Sequence, residues 1–192
     1  VSIRDLPRFL RAGDALVVNE TTVAPARIKA LRVVDDGGPP SVGARPSVGA
    51  RIEGLLLERR GDRQWLALLR NTKRVREGET LRLLGPGASG PSEFGLRFLG
   101  REGEGSLVEI VGGSSADEVL ARVGWTPLPP YILKARRDAG AVDDGADDPD
   151  DRRRYQTVFA ADRSAPSVAA PTAGLHFTDE LLARLASLGV ER

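Results

Sequence analysis

Between about Ala26 and Gly112 turn residues cut the chain into a series of short segments, and no other feature restricts its fold as strongly. Arg27-Ile28-Lys29-Ala30-Leu31-Arg32-Val33 alternates polar and apolar residues, as a strand with one buried face does. Segments 52–59, 64–70, 80–84, 94–99 and 106–111 follow, separated by Arg60-Gly61-Asp62, Glu77-Gly78-Glu79, Gly85-Pro86-Gly87 and the Gly-rich stretch 100–105. Strands this short and this regularly punctuated predict a small antiparallel barrel or sandwich.

Helical periodicity lies outside that block. Residues 115–123 place Val119, Leu120 and Val123 on one face behind a Ser115 cap, with Gly124 as the stop. Residues 178–188 place Leu181, Leu182, Leu185 and Leu188 on one face behind a Thr178 cap, with Asp179 and Glu180 at the positive end of the helix dipole. Residues 6–13 and 15–19 read as a turn feeding a buried strand. The expected fold class is therefore α+β and multi-domain, with a β-domain framed by two segments of mixed α/β character. Two stretches read as flexible loops. Residues 35–50 contain a tandem hexapeptide, Pro40-Ser-Val-Gly-Ala-Arg45 and Pro46-Ser-Val-Gly-Ala-Arg51, too short for a solenoid and cheap to carry in a surface loop. Residues 138–151 are rich in Asp, Gly and Ala and cannot supply a core. That second stretch lacks the alternating ligands, sixth-position Gly and terminal Glu of an EF-hand, so it is not read as a calcium loop.

Cys is absent and His176 is the one histidine, which removes disulfides, thiolate chemistry and histidine-cluster metal sites. No metal site is expected. No apolar run approaches a membrane span and no signal peptide opens the chain, so the cytoplasm is the expected compartment. Met is absent even at position 1, which implies a piece of a longer reading frame. The net charge of +1 hides an asymmetry: seven Asp and no Lys or Arg fall within 138–151, and the rest of the chain carries 28 basic against 20 acidic residues. Much of that surplus is Arg, whose planar fork suits phosphate and carboxylate partners.

Three segments are too specific to be scaffolding by composition. The first, 13–27, runs Gly13-Asp14-Ala15-Leu16-Val17-Val18-Asn19-Glu20-Thr21-Thr22 into Val23-Ala24-Pro25-Ala26-Arg27 and reads as a buried strand with a polar tip. The second, Trp125-Thr126-Pro127-Leu128-Pro129-Pro130-Tyr131-Ile132, reads as an extended, polyproline-like wall. The third pairs Tyr155-Gln156-Thr157-Val158-Phe159-Ala160 with Val168-Ala169-Ala170-Pro171-Thr172-Ala173-Gly174-Leu175-His176-Phe177-Thr178. Together these segments closely resemble the S-adenosylmethionine:tRNA ribosyltransferase-isomerase family of the queuosine pathway, across essentially the whole chain apart from the two loops.

The resemblance implies an α/β domain, made here of 1–26 and 113–192, with a small β-barrel domain, 27–112, inserted into it. It implies further family segments beyond both ends. It also implies a reaction: the ribosyl portion of S-adenosylmethionine is transferred to 7-aminomethyl-7-deazaguanine at the tRNA wobble position and isomerised to give epoxyqueuosine. Adenine and methionine are released. S-adenosylmethionine is then a substrate, and no cofactor is implied. The resemblance is silent on oligomeric state. The chain departs from the family pattern in two places: Glu20-Thr21-Thr22 stands where Asp-Thr-Arg is usual, and Phe159 stands where Tyr is common. A diverged paralogue that binds the donor or RNA without the isomerase chemistry would show such departures. A methyltransferase is disfavoured because no Gly-rich strand–turn–helix nucleotide motif is present.

Within that frame His176 and Glu20 are the candidate proton-transfer groups. The plain alternative for His176 is a partly buried imidazole bonded to the turn. Asn19, Tyr131, Tyr155, Gln156, Thr172, Gly174 and Thr178 are the candidate substrate contacts. The alternatives are turn geometry for Thr172 and Gly174, helix capping for Thr178, core packing for the tyrosines and a backbone-bonded or solvated amide for Gln156. Asp14 reads as a turn residue. Arg136, Arg137, Arg152, Arg153 and Arg154 are the candidate tRNA phosphate contacts, with a solvated or Asp-paired surface as the alternative.

Overall fold

The structure, a computed structural model, describes residues 2–34, 47–146 and 148–192. In chain order the elements are β1 (Thr21–Val23), β2 (Arg27–Val34), β3 (Ser47–Arg59), β4 (Gln64–Arg70), β5 (Thr80–Leu83), β6 (Gly95–Glu102) and β7 (Gly105–Val111). Then come α1 (Ala116–Val123), α2 (Pro130–Asp138), α3 (Asp148–Arg154), β8 (Asp162–Ser167) and α4 (Asp179–Ser187), with short 3-10 turns at Ile3–Arg8 and Thr172–His176. The chain forms two compact units, Val1–Ala24 with Asp150–Arg192, and Pro25–Pro149. The second unit is thus an insertion within the first, and the fold is α+β with an inserted barrel.

The barrel closes in the order β2-β3-β4-β7-β6-β5, every pair antiparallel. Closure rests on β2 and β5, which meet at Ala30–Leu83 and Leu31–Arg82. The period-two alternation of the strands sends Ile28, Ala30, Ile52, Leu56, Leu81, Leu83, Leu96, Val108 and Ile110 inside, each at most 1% exposed. The first part of the 35–50 loop, 35–46, lies outside the described residues. Residues 47–50 belong to β3 and pair with β2 at Val34–Ser47 and Val33–Val48, so the second hexapeptide copy is strand rather than loop from its second residue onward.

Residues 113–149, assigned from sequence to the flanking domain, fall in the barrel unit. Two contacts explain why. Trp125 makes a two-way backbone pairing with Arg27, at 2.7 and 3.1 Å, and its indole N–H donates to the Leu84 carbonyl at 2.7 Å. Just before it, Gly124 passes so close to the start of β2 that a Cβ would sit 2.1 Å from the Pro25 carbonyl oxygen. The glycine read as a helix stop is required by that approach. The polyproline-like wall is extended only as far as Pro129. Pro130 opens α2, where a missing N–H does no harm at the first helical position.

The acidic stretch 138–151 also differs from a bare loop. It closes α2, opens α3 and is fixed to the barrel between them. Lys29 stands on the outer face of β2, where the alternation assigns solvent, yet it is 4% exposed. Its ammonium lies 3.6 Å from the Trp125 ring centroid. It donates to the Asp143 carbonyl at 2.7 Å and meets the Asp143 carboxylate at 2.9 Å. Arg27 forks onto that carboxylate at 2.5 and 3.3 Å. Gly87 N–H donates to the Asp144 carbonyl at 2.8 Å, and the Asp148 carboxylate accepts from Thr126 N–H at 2.7 Å. Burial lowers the Lys29 pKa despite its bond to Asp143. For Asp143, burial pushes the pKa up, but the bonds from Arg27 and Lys29 outweigh it and hold the carboxyl below its ordinary value.

The host unit, into which the barrel is inserted, is smaller. β1 runs parallel to β8 in the register Thr21–Asp162 and Val23–Ser167. Leu181, Leu185 and Val190 form its core with Leu6, Leu10, Leu16 and Phe177 packed against them. Leu188, read onto the same helical face, is 42% exposed because the helix has already ended at Ser187. The expected buried strand at 15–19 is reduced to a single bridge, Ala15 to Glu191, and Val17 is 92% exposed.

Two outcomes follow for stability. Asp143→Ala leaves Lys29 buried without its carboxylate and should cost about 2 kcal/mol in urea unfolding at pH 7, below the usual range for a buried pair because Asp143 keeps some exposure. A carboxyl with a depressed folded pKa stabilises above its unfolded value and loses that contribution as pH falls through the folded one, so the parent and variant curves should converge below about pH 4. Replacing 35–46 with a two-residue Asn-Gly turn should shift stability by less than about 1 kcal/mol, whereas removing residues through 50 should cost more because it takes strand pairs with it.

Candidate active site

The motif segments of the host unit are joined by direct contacts. The Gln156 side-chain amide pairs with the Val23 peptide in both directions, accepting from its N–H at 2.9 Å and donating to its carbonyl at 2.9 Å. Gln156 therefore serves as a surrogate strand partner for β1, which corresponds to the backbone-bonded alternative. The Glu20 carbonyl accepts from Ala161 N–H at 3.0 Å, tying the strand tip to the same segment. Asn19 turns its Oδ1 onto Thr21 N–H at 2.9 Å, and Asp14 accepts from Arg11 N–H at 2.7 Å; both act as turn residues.

The segment 172–178 packs against 155–159. Gly174 has no left-handed φ. Its role is close approach, since a Cβ there would lie 2.8 Å from Thr157 Cγ2 and 3.6 Å from Phe159 Cδ2. Phe159 and Phe177 meet edge to face with ring centroids 5.2 Å apart. Tyr155, 6% exposed, sits in the core. Thr157, one residue beyond Gln156 and not singled out by the sequence, is 7% exposed, and its hydroxyl has no hydrogen-bond partner among the described residues. Thr178 caps α4 by accepting from Leu181 N–H at 3.3 Å. The same hydroxyl bonds the Glu180 carboxylate, which that bond first and the backbone second hold below its ordinary pKa. Capping thus accounts for the Thr178 hydroxyl.

His176 is exposed at the end of the 3-10 turn and has no hydrogen bond or ion pair among the described residues. It is not the partly buried, turn-bonded imidazole of the plain alternative. Glu20 and Thr172 are exposed as well. The structure thus brings Glu20, Tyr155, Gln156, Thr172, Gly174 and His176 into one network of segments, with Tyr155, Gln156 and Gly174 committed to structure and an imidazole, a carboxylate and a hydroxyl open to solvent.

Tyr131, 68% exposed on α2, belongs to the barrel unit together with Arg136 and Arg137 in the last turn of that helix. On α3, Arg153 and Arg154 share the Asp150 carboxylate, Arg154 at 2.6 Å, so the Asp-paired alternative describes both. Arg152 lies in the same last turn. Among the described residues no group of three or more His, Asp or Glu side chains could hold a metal ion, and no helix is long and apolar enough to cross a membrane.

A β-barrel inserted into a parallel-stranded α/β unit, with an exposed histidine on a Gly-containing turn, defines a two-unit α+β protein with its motif residues concentrated on the host unit. A model of the queuosine biosynthesis protein family matches residues 1–192, and the chain belongs to that family. It is 43% identical to the S-adenosylmethionine:tRNA ribosyltransferase-isomerase of Methylobacterium sp. (strain 4-46), covering 98% of this chain and 48% of that protein. It is 42% identical to the enzyme of the same name from Chelativorans sp. (strain BNC1), covering 99% and 48%. The chain therefore spans about half the length of the curated relatives it matches. A crystal structure of S-adenosylmethionine tRNA ribosyltransferase from Thermotoga maritima aligns at 22% identity over 98% of this chain and 41% of that one, with a TM-score of 0.36.

Stability tests the packing around Gly174. Gly174→Ala should lower stability by about 1–3 kcal/mol through overpacking against Thr157, and Thr157→Ser should relieve much of that loss by removing Cγ2. Thr157→Val in the parent should raise stability by about 1 kcal/mol, because a buried hydroxyl without a partner is replaced by a methyl of the same shape. Thermal melts of the variants would decide both.

Proposed function

We propose that this chain carries part of the active site of an S-adenosylmethionine:tRNA ribosyltransferase-isomerase. The observation that carries the reading is the match of the family model to residues 1–192, with His176 exposed and uncommitted in its most specific motif. The reaction would begin with loss of a proton from the ribose carbon beside the sulfonium, whose positive charge acidifies that C–H. An exposed imidazole can accept such a proton as a general base. Glu20 would manage the proton of the attacking amine or of the departing adenine. Thr172 would offer its hydroxyl to the donor. Tyr131 would stack on a base, and its exposure suits that use. The substrates are S-adenosylmethionine and a tRNA bearing the aminomethyl-deazaguanine wobble base, with Arg136, Arg137 and Arg152–Arg154 as phosphate contacts. The site belongs in the cytoplasm, where tRNA is modified.

The test uses protein expressed from the full reading frame, S-adenosylmethionine and tRNA carrying the precursor base, followed by mass spectrometry. Free adenine, free methionine and the epoxyqueuosine nucleoside are expected. His176→Ala should lower adenine release by about 10²–10⁴ while donor binding persists. S-adenosylhomocysteine in place of adenine would make the protein a methyltransferase. Donor binding without any turnover would make it a binding-only paralogue.

A further inference from the structure

The barrel matches most of its outer arginines to acceptors. Arg32 pairs with Glu79, Arg59 with Asp117, Arg60 with Glu58 and Glu102, Arg97 with Glu109, and Arg122 with Glu93. The exception is the connection leaving β4. Residues 70–76, Arg-Asn-Thr-Lys-Arg-Val-Arg, hold four basic side chains and no carboxylate.

This connection is built rather than slack. Asn71 adopts a left-handed φ of 64° and its amide donates to the Arg51 carbonyl at 3.0 Å. Val75 N–H donates to the Thr72 carbonyl at 3.1 Å, Arg76 N–H to the Glu79 carboxylate at 3.1 Å and Gly78 N–H to the Phe98 carbonyl at 2.8 Å. Thr72 is 4% exposed, and its hydroxyl accepts from Arg101 Nη2 at 3.2 Å. Arg51 on β3, Arg70 at the end of β4 and Arg101 on β6 are thus gathered around Lys73, Arg74 and Arg76. All six are exposed, and none has an ion-pair partner among the described residues. Glu79 is already paired with Arg32, and the Glu77 carboxyl lies beside Gly100.

Like charges held together on a fixed loop repel one another, so a barrel that pairs most of its other strand arginines gains nothing from this arrangement in isolation. A polyanion would relieve the repulsion, and arginine forks fit phosphate oxygens. The segment offers one apolar side chain, half-buried Val75, where a membrane-surface site would present several to insert. We infer that this face of the barrel is a docking surface for the phosphodiester backbone of a structured RNA, separate in sequence from the arginines of α2 and α3. The inference rests on the reading of tRNA as substrate and assigns part of its binding to the barrel.

The test measures binding of unmodified tRNA transcript to protein from the full reading frame by fluorescence anisotropy at several KCl concentrations. It compares the parent with Lys73→Glu/Arg74→Glu/Arg76→Glu and with the milder Lys73→Gln/Arg74→Gln/Arg76→Gln. Thermal melts identify any variant that fails to fold, and the glutamine set serves if the glutamate set does. The expected result is an affinity at least tenfold weaker at 100 mM KCl, with a log K against log salt slope shallower by about 2, since each phosphate contact contributes roughly 0.7–0.9. Unchanged affinity and slope in a folded variant would overturn the inference. So would patch-dependent binding to phosphatidylserine vesicles with tRNA binding intact. Adenine release reads the catalytic reading separately. A parent that turns over, with a folded patch variant needing no more tRNA for half-maximal rate, would sink the docking surface alone. A parent that binds tRNA through the patch but never releases adenine would sink the catalytic reading and leave the surface standing.

Discussion

An ammonium group nine-tenths buried is the constraint around which the barrel unit is arranged. Removing Lys29 from water is tolerable only because Trp125 presents the face of its ring and Asp143 brings both a carboxylate and a carbonyl. Each partner comes from a different stretch of chain, so the requirement of one side chain fixes the course of two segments. The residues after α1 must pass Arg27 to deliver Trp125, and those after α2 must return to deliver Asp143. The outer face of β2 is covered around Lys29 as a result, and the strand that closes the barrel is packed on both sides there.

The host unit solves a different problem with little material. Its sheet has two parallel strands, too few to be stable by pairing alone. Gln156 extends β1 with a side-chain amide, Gly174 lets the 172–176 turn settle onto Thr157, and the Phe159–Phe177 contact joins the two motif segments. These residues support the surface on which Glu20 and His176 remain exposed. Motif residues thus divide into those that build the platform and those that stand on it.

The sequence made the barrel legible because turn chemistry every few residues leaves few alternatives, and the strand segments agree with the observed ones to within a few residues. It made α1 and α4 legible because their apolar spacing and caps agree. It did not reveal α2 or α3, since neither shows an apolar stripe: α2 buries no residue, and α3 is Asp-Pro-Asp-Asp-Arg-Arg-Arg. Local composition likewise hid the attachment of the acidic stretch, because Asp143 is held by cations more than a hundred residues earlier. For the candidate site, residue types and family resemblance picked out segments that the fold joins by direct contacts. Whether Gln156 faced a ligand or a peptide group, and whether Tyr131 or Tyr155 was the exposed one, depended on packing that no local pattern records.

The tandem hexapeptide has a consequence for how this gene can vary. The second copy enters β3, and both copies read Pro-Ser-Val-Gly-Ala-Arg. If replication slippage erased one copy or added a third, the residues just ahead of Ile52 would still be Ser-Val-Gly-Ala-Arg. The strand would meet β2 with the same side chains in the same register, and the change in length would fall entirely between Val34 and Ser47. A repeat that straddles the boundary of a strand can thus let a genome lengthen or shorten a connection without rewriting the sheet it feeds.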